Sequence, residues 1–240
     1  MNSRLVWIAV VSLGISLACW SIAGLSSAMG WVDNGRPWAL LRSCAPRLWA
    51  KSNGELRTVD LAWQGSDAIT INIPAQVTYQ PGPKAEASVT GDSELASHVR
   101  MRNGTLSWDT PLDCISGGDL VVHLTGPAVT AWTLNGSGTL ELSDIKQDAV
   151  RVVTRGSGTV IGNGEANQAS VDVAGSGNVD FSKLVTRKAD ARIKGSADVE
   201  LAPRDDVDIE IYGSAIVSLH GPVARVNSHV AGSGQIKQTP

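Results

Sequence analysis

A tripeptide, Gly-Ser-Gly or Gly-Ser-Ala, recurs six times in the second half of the chain: Gly136-Ser137-Gly138, Gly156-Ser157-Gly158, Gly175-Ser176-Gly177, Gly195-Ser196-Ala197, Gly213-Ser214-Ala215 and Gly232-Ser233-Gly234. The spacings are 20, 19, 20, 18 and 19 residues. A motif held at such an interval marks a solenoid, in which each repeat is one turn that cannot bury its apolar face alone and must stack on its neighbours. Two residues before the first glycine stand Leu134, Thr154, Val173, Ile193, Ile211 and Val230; four after it stand Leu140, Val160, Val179, Val199, Val217 and Ile236. Intervening positions are polar, as with Asp172, Arg192 and Glu210 three before, and Thr139, Thr159, Asn178 and Asp198 three after. Alternation with period two is the signature of a strand with one buried face. The sequence therefore predicts an all-β chain, a single-stranded β-helix with coils of about 19 residues, each made of two strands and two turns or of three very short strands.

Within the tripeptide, counting by two places the first glycine and the third residue inward, where small residues let the wall bend and glycine permits positive φ. Ser137, Ser157, Ser176, Ser196, Ser214 and Ser233 then face outward, one above another. Such a column is either a structural ladder of hydroxyls or a recognition stripe for a repetitive partner.

The 25 glycines, against one Phe and two Tyr, suit a narrow core filled by Val, Ile and Leu. All eight tryptophans precede the last five tripeptides, so the two halves are built differently. Upstream, Ala68 to Pro74 and Val77 to Tyr79 alternate as strands, Gln80-Pro81-Gly82-Pro83 reads as a turn, and further strands are predicted at 85–90, 98–102, 105–108 and 119–124. A short helix is predicted between Pro37 and Trp49. The layout is a signal peptide or membrane anchor at 1–28, an irregular or helical N-terminal cap or linker at 29–55, an N-terminal β region of the solenoid at 56–128, and the repeat solenoid at 129–240.

Residues 1–28 begin Met-Asn-Ser-Arg4 and continue uncharged from Leu5 to Leu25, an export signal with small residues at Ser26-Ser27-Ala28 for cleavage. Uncleaved, the apolar run at 5–25 is long enough to anchor the chain in an inner membrane. Either way the chain is exported, to the periplasm or the cell surface, and the N-terminal segment is its one predicted contact with membrane. In an exported protein Cys44 and Cys114 are candidates for a disulfide. That bridge would close a loop of about 70 residues, worth about 4 kcal/mol in the chain-entropy model.

A net charge of −3 with no basic cluster excludes nucleic acid as a partner. His98, His123, His220 and His229 lack paired ligand spacing and read as exposed side chains, so neither a metal nor another cofactor is predicted. Asp205, Asp206 and Asp208 could suit calcium or polysaccharide cleavage, but they follow Ala202-Pro203-Arg204 where a coil must turn, and acidic turn residues are ordinary. No histidine and acid accompany the serine column to make a nucleophile, so no catalytic residue is predicted.

Leu61-Ala62-Trp63-Gln64-Gly65-Ser66-Asp67 through Ile73-Pro74, then Gly91-Asp92, and the stretch from Leu134 to Leu142 resemble the head GIN domain family, described as autotransporter adhesin heads. The resemblance covers residues 56 to 237 and implies a β-helical, exported bacterial domain in the periplasm or on the cell surface. The leading expectation is a non-enzymatic binding, adhesion-like or scaffolding domain whose partner is an envelope glycan or protein, with self-association through the solenoid ends also open. The rival is a carbohydrate-active enzyme, a lyase or hydrolase on a β-helix, supported by fold analogy alone.

Overall fold

The computed structural model describes residues 55–109 and 119–239. Cys44 and Cys114, the apolar segment at 5–25, the segment at 29–55 with its predicted helix, and the cleavage site all fall outside them, apart from residue 55.

Fifteen strands form one continuous hydrogen-bonded sheet that winds on itself. They are β1 (Leu56–Asp60), β2 (Ala68–Ile71), β3 (Gln76–Pro81), β4 (Glu86–Asp92), β5 (Val99–Arg102), β6 (Thr105–Trp108), β7 (Val121–Gly126), β8 (Ala131–Gly136), β9 (Thr139–Gly156), β10 (Thr159–Gly175), β11 (Asn178–Gly195), β12 (Asp198–Gly213), β13 (Ile216–His220), β14 (Arg225–Gly232) and β15 (Gln235–Thr239). One helical turn, α1 (Ser93–Ser97), follows β4. The predicted strands all find counterparts here, and the fold is the expected β-solenoid.

From β9 to β12 one long strand makes each coil and pairs in parallel with the strands above and below. Apolar columns stack through the interior: Leu140, Val160, Val179, Val199 and Val217 form one, and Val173, Ile193 and Ile211 continue another begun by Leu134 and Thr154, all of them buried. Burying these side chains along each coil is the main force holding the stack, at about 2 kcal/mol per Val or Leu. Gaps are matched between coils. Gly162 stands in the column of Leu142 and Phe181, and a Cβ there would lie 2.7 Å from the Phe181 ring, which fills the space.

The tripeptide makes the corner, and there the structure corrects the period-two count. The third residue does face inward, with Gly138, Gly158, Gly177, Ala197 and Ala215 buried. The first glycine does not. It turns at the corner with φ between +101° at Gly136 and +140° at Gly213, a backbone region that only glycine occupies without strain. The positive φ breaks the pleat that alternation assumes. It also brings each corner against the one beneath, so that a Cβ on Gly156 would lie 2.6 Å from Gly136 O, and one on Gly175 would collide with Gly156 O. Serine N–H groups close the stack: Ser157 donates to Gly136 O at 3.0 Å, Ser176 to Gly156 O at 2.9 Å, Ser196 to Gly175 O at 3.0 Å and Ser214 to Gly195 O at 2.9 Å.

The corner keeps register while another bend absorbs the uneven spacing. Register shifts occur at Gly162/Gly164 against β9, at Ile161/Asn163 against β11, and between Phe181 and Val185 and between Thr186 and Lys188 against β12. Asp144 at φ +54° and Gly164 at φ +120° occupy that bend.

Chain order and stacking order part company at the N-terminal end. β2 and β3 form a coil beneath β8 and β9, with Ile69 opposite Trp132 and Val77 opposite Leu140. Beneath it lie β6, with Ile71 opposite Leu106, and β7, with Val77 opposite Val122. The intervening chain closes this end with antiparallel pairs, β4 on β7, β1 on β4 and the β5–β6 hairpin. The core is aromatic here. Tyr79 and Trp132 pack with ring centroids 4.9 Å apart, and the Tyr79 hydroxyl donates to Pro127 O at 2.7 Å. Burial raises the pKa of that phenol.

Two stability measurements test this packing. Gly175→Ala should cost about 3 kcal/mol, from the strained φ and the collision with the corner below, whereas Ser176→Ala should stay within about 0.5 kcal/mol of wild type; equal denaturation midpoints would contradict the corner geometry. Thr154 is fully buried in an apolar column and its hydroxyl has no hydrogen-bond partner among the described residues. Thr154→Val keeps the shape and should therefore stabilise the protein by about 1 kcal/mol in denaturant titration.

Candidate binding surface

Between the variable bend and the tripeptide corner, each coil lays down a run of strand whose outward residues fall into register across β9 to β12 and β14. The positions three before the first glycine are Val153 on β9 and then Asp172, Arg192, Glu210 and His229, which stack in that order. Arg192 Nε donates to Glu210 Oε2 at 2.9 Å and its Nη1 lies 4.0 Å from Asp172 Oδ1; Arg151 Nη2 reaches Asp172 Oδ2 at 2.8 Å. The guanidinium bonded to Glu210 holds that carboxyl below the usual carboxylate range, and Glu210 in turn raises Arg192. Both are open to solvent, with about half of each side chain accessible, so the pair organises the surface more than it stabilises the fold.

Beside this column stand Ser170, Asp190, Asp208 and Asn227, and then Gln168, Lys188, Asp206 and Arg225. Gln168 donates to Asp190 at 3.0 Å and Asn227 to Asp208 at 2.8 Å. Asp206 lies 3.7 Å from Lys188 and 3.3 Å from Arg225. Apart from Ser170, these side chains line an open groove across the strands. The result is a flat lattice of carboxylates, cations and amides at strand spacing, about 4.8 Å between coils, with opposite charges interleaved so that no single sign dominates. Such a surface suits a partner that exchanges many hydrogen bonds. It does not suit one drawn by net charge.

The residues singled out from the sequence are distributed around this surface. Asp205 is paired with Arg187 at 3.0 Å at the bend, while Asp206 and Asp208 belong to the lattice with partners of their own. Ser137, Ser157, Ser176, Ser196, Ser214 and Ser233 are all exposed along the corner that borders the face. Their hydroxyls make no hydrogen bond to any described residue; the corner's backbone groups are satisfied by the serine N–H and glycine carbonyl ladder. The histidines are scattered. His98 bonds Asp109 at 2.9 Å, His220 bonds Glu200 at 2.9 Å, His229 lies beside Tyr212, and His123 is exposed on β7. Among the described residues no group of three or more His, Cys, Asp or Glu is placed to hold a metal ion, and no helix is long and apolar enough to cross a membrane.

A family model described as "Putative auto-transporter adhesin, head GIN domain" matches residues 66–222. No curated protein matches the sequence. Among solved structures, a "putative adhesin" from Bacteroides fragilis NCTC 9343 is 18% identical with a TM-score of 0.63, covering 78% of this chain and 99% of that one. A "putative adhesin" from Parabacteroides merdae ATCC 43184 is 16% identical with a TM-score of 0.48, covering 79% and 98%. A "Putative lipid binding protein" from Parabacteroides distasonis ATCC 8503 is 19% identical with a TM-score of 0.47, covering 79% and 98%. The likeness to the Bacteroides fragilis protein shows a shared fold.

The electrostatics of the lattice can be read residue by residue. In an NMR pH titration Glu210 should lose its proton at lower pH than an ordinary glutamate, and Arg192→Gln should return it to the usual range. An unchanged Glu210 titration in that variant would show that the guanidinium is not what holds it down.

Proposed function

Because the chain belongs to the head GIN domain family described as "Putative auto-transporter adhesin", we propose that it is an exported cell-envelope binding domain, adhesion-like or scaffolding in role, that acts without catalysis. The observation that carries this reading is the registered lattice on β9 to β12 and β14. Its positions recur in register from coil to coil, and its carboxylates already have cationic or amide partners, as with Asp206 between Lys188 and Arg225. A general acid needs a carboxyl whose surroundings favour the protonated form, and Arg192 supplies the opposite at Glu210.

The partner is a hydroxyl-rich or amide-rich polymer of the envelope, with a glycan as the class that best fits a flat, charge-balanced hydrogen-bonding surface. Serine hydroxyls along the bordering corner, unengaged by any described residue, extend the same surface. The N-terminal segment directs the chain out of the cytoplasm, to the periplasm or the cell surface, either removed after Ala28 or kept as an anchor through residues 5–25.

Fractionating cells and sequencing the N-terminus of the recovered protein tests the export half of this reading, and recovery from the cytoplasm with Met1 intact would refute it. For the binding half, the protein is screened against envelope glycans and outer-membrane extracts. Saturable binding is expected, weakened about tenfold or more by Gln168→Ala combined with Arg192→Ala, since each lost hydrogen bond to a charged group is worth about 1.5–3 kcal/mol. Binding that ignores both substitutions would move the site off this face.

A further inference from the structure

The last coil differs from those beneath it. β14 pairs with β12 along its whole length, yet all eight of its residues are exposed. Its inward column, Val226, Ser228 and Val230, stands over buried Val207, Ile209 and Ile211, and nothing among the described residues covers it. Val226 is 43% and Val230 40% exposed.

The direction of its backbone groups follows from the corner. Just past β14 the Ser233 N–H donates down to Gly213 O, as Ser157 does to Gly136 O just past β9, and within β9 Arg151, which shares a register column with Asn227, donates down to Thr130 O. Strand alternation then turns the N–H and C=O groups of Asn227 and His229 towards β12. Those of Val226, Ser228 and Val230 turn towards the open edge. The side chains that need covering and the backbone groups that need partners thus belong to the same three residues.

We propose that this edge is a homodimer interface, in which β14 of a second copy pairs antiparallel with β14 about a two-fold axis through Ser228. The strand is self-complementary in that register. Ser228 faces Ser228, Val226 faces Val230 of the second copy, and each of these pairs exchanges both its N–H···O bonds. On the outer face Asn227 meets His229 and Arg225 meets Ala231, so no two cations are opposed. Shifting the register by one residue would set Val against the polar face and leave the open backbone groups out of phase. A two-fold pairing also closes, consuming the exposed edge on both copies. This interface goes beyond the binding role proposed above and does not depend on it.

The full chain, purified in mild detergent, is measured by sedimentation equilibrium. A concentration-dependent dimer is expected. Val230→Lys should weaken it about tenfold or more by placing a charge in the apolar seam, and Ser228→Pro should do the same by removing a donor from the open edge. Ser228→Cys reads the register without relying on either variant's stability. In the proposed pair the two Cα atoms lie about 5.5 Å apart, within disulfide reach, so mild oxidation should cross-link this variant to a dimer. Neither Asn227→Cys nor the wild-type chain, which controls for Cys19, Cys44 and Cys114, should do so. A monomer up to about 0.1 mM, mass that grows without limit, a dimer indifferent to both seam substitutions, or equal cross-linking of Ser228→Cys and Asn227→Cys would overturn the proposal.

Discussion

The structure depends on a contact between backbones: the carbonyl of one corner glycine lying against the α-carbon of the next, with a serine N–H bonded to that same carbonyl. Parallel strands have no tight hairpin to set their register, and a slip of one residue would turn every apolar side chain outward. In this chain the register is set once per coil, at the tripeptide. Gly156, Gly175, Gly195 and Gly213 stack so closely that no side chain fits between them. Because the corner cannot slip, the coils can differ in length elsewhere, and the bend near Asp144, Gly164 and Lys183 takes up the difference.

That constraint has a consequence for the surface. With the corner fixed, outward residues counted back from it align from coil to coil whatever their distance along the chain, and Arg192 meets Glu210 while Asp206 meets both Lys188 and Arg225. A binding face can then be built one column at a time. The ion pairs contribute little to stability where they are exposed; their effect is to hold long side chains in place, which would lower the entropy lost on docking of the partner proposed above.

Much of this was legible in the sequence, because a solenoid repeats its local rules. Spacing gave the coil, alternation gave the buried columns, and the six serines do face outward. That glycine permits positive φ at the corner was legible, but the direction of the first glycine was not, since counting by two assumes an unbroken pleat and φ +134° at Gly175 breaks it. The placing of β2 and β3 between two layers that both come later in the chain, β6 with β7 and β8 with β9, was hidden too, because Ile69 and Trp132 meet without any shared motif to mark the pairing. The charged lattice had a signal that period alone did not reveal. Asp172, Arg192 and Glu210 were recognisable as polar, but their alternating sign acquires meaning only once coil register makes them neighbours. The open apolar edge of β14 reads in sequence like any other repeat, and only the absence of cover among the described residues distinguishes it.

Amide hydrogen exchange measures the corner stack most directly. If it is the fixed point of the fold, the N–H groups of Ser157, Ser176, Ser196 and Ser214 should exchange only through global unfolding, as slowly as the core strand amides, despite their exposed side chains. Corner amides that exchange as fast as exposed loops, while the neighbouring strands stay protected, would show that register is set elsewhere and would contradict the account.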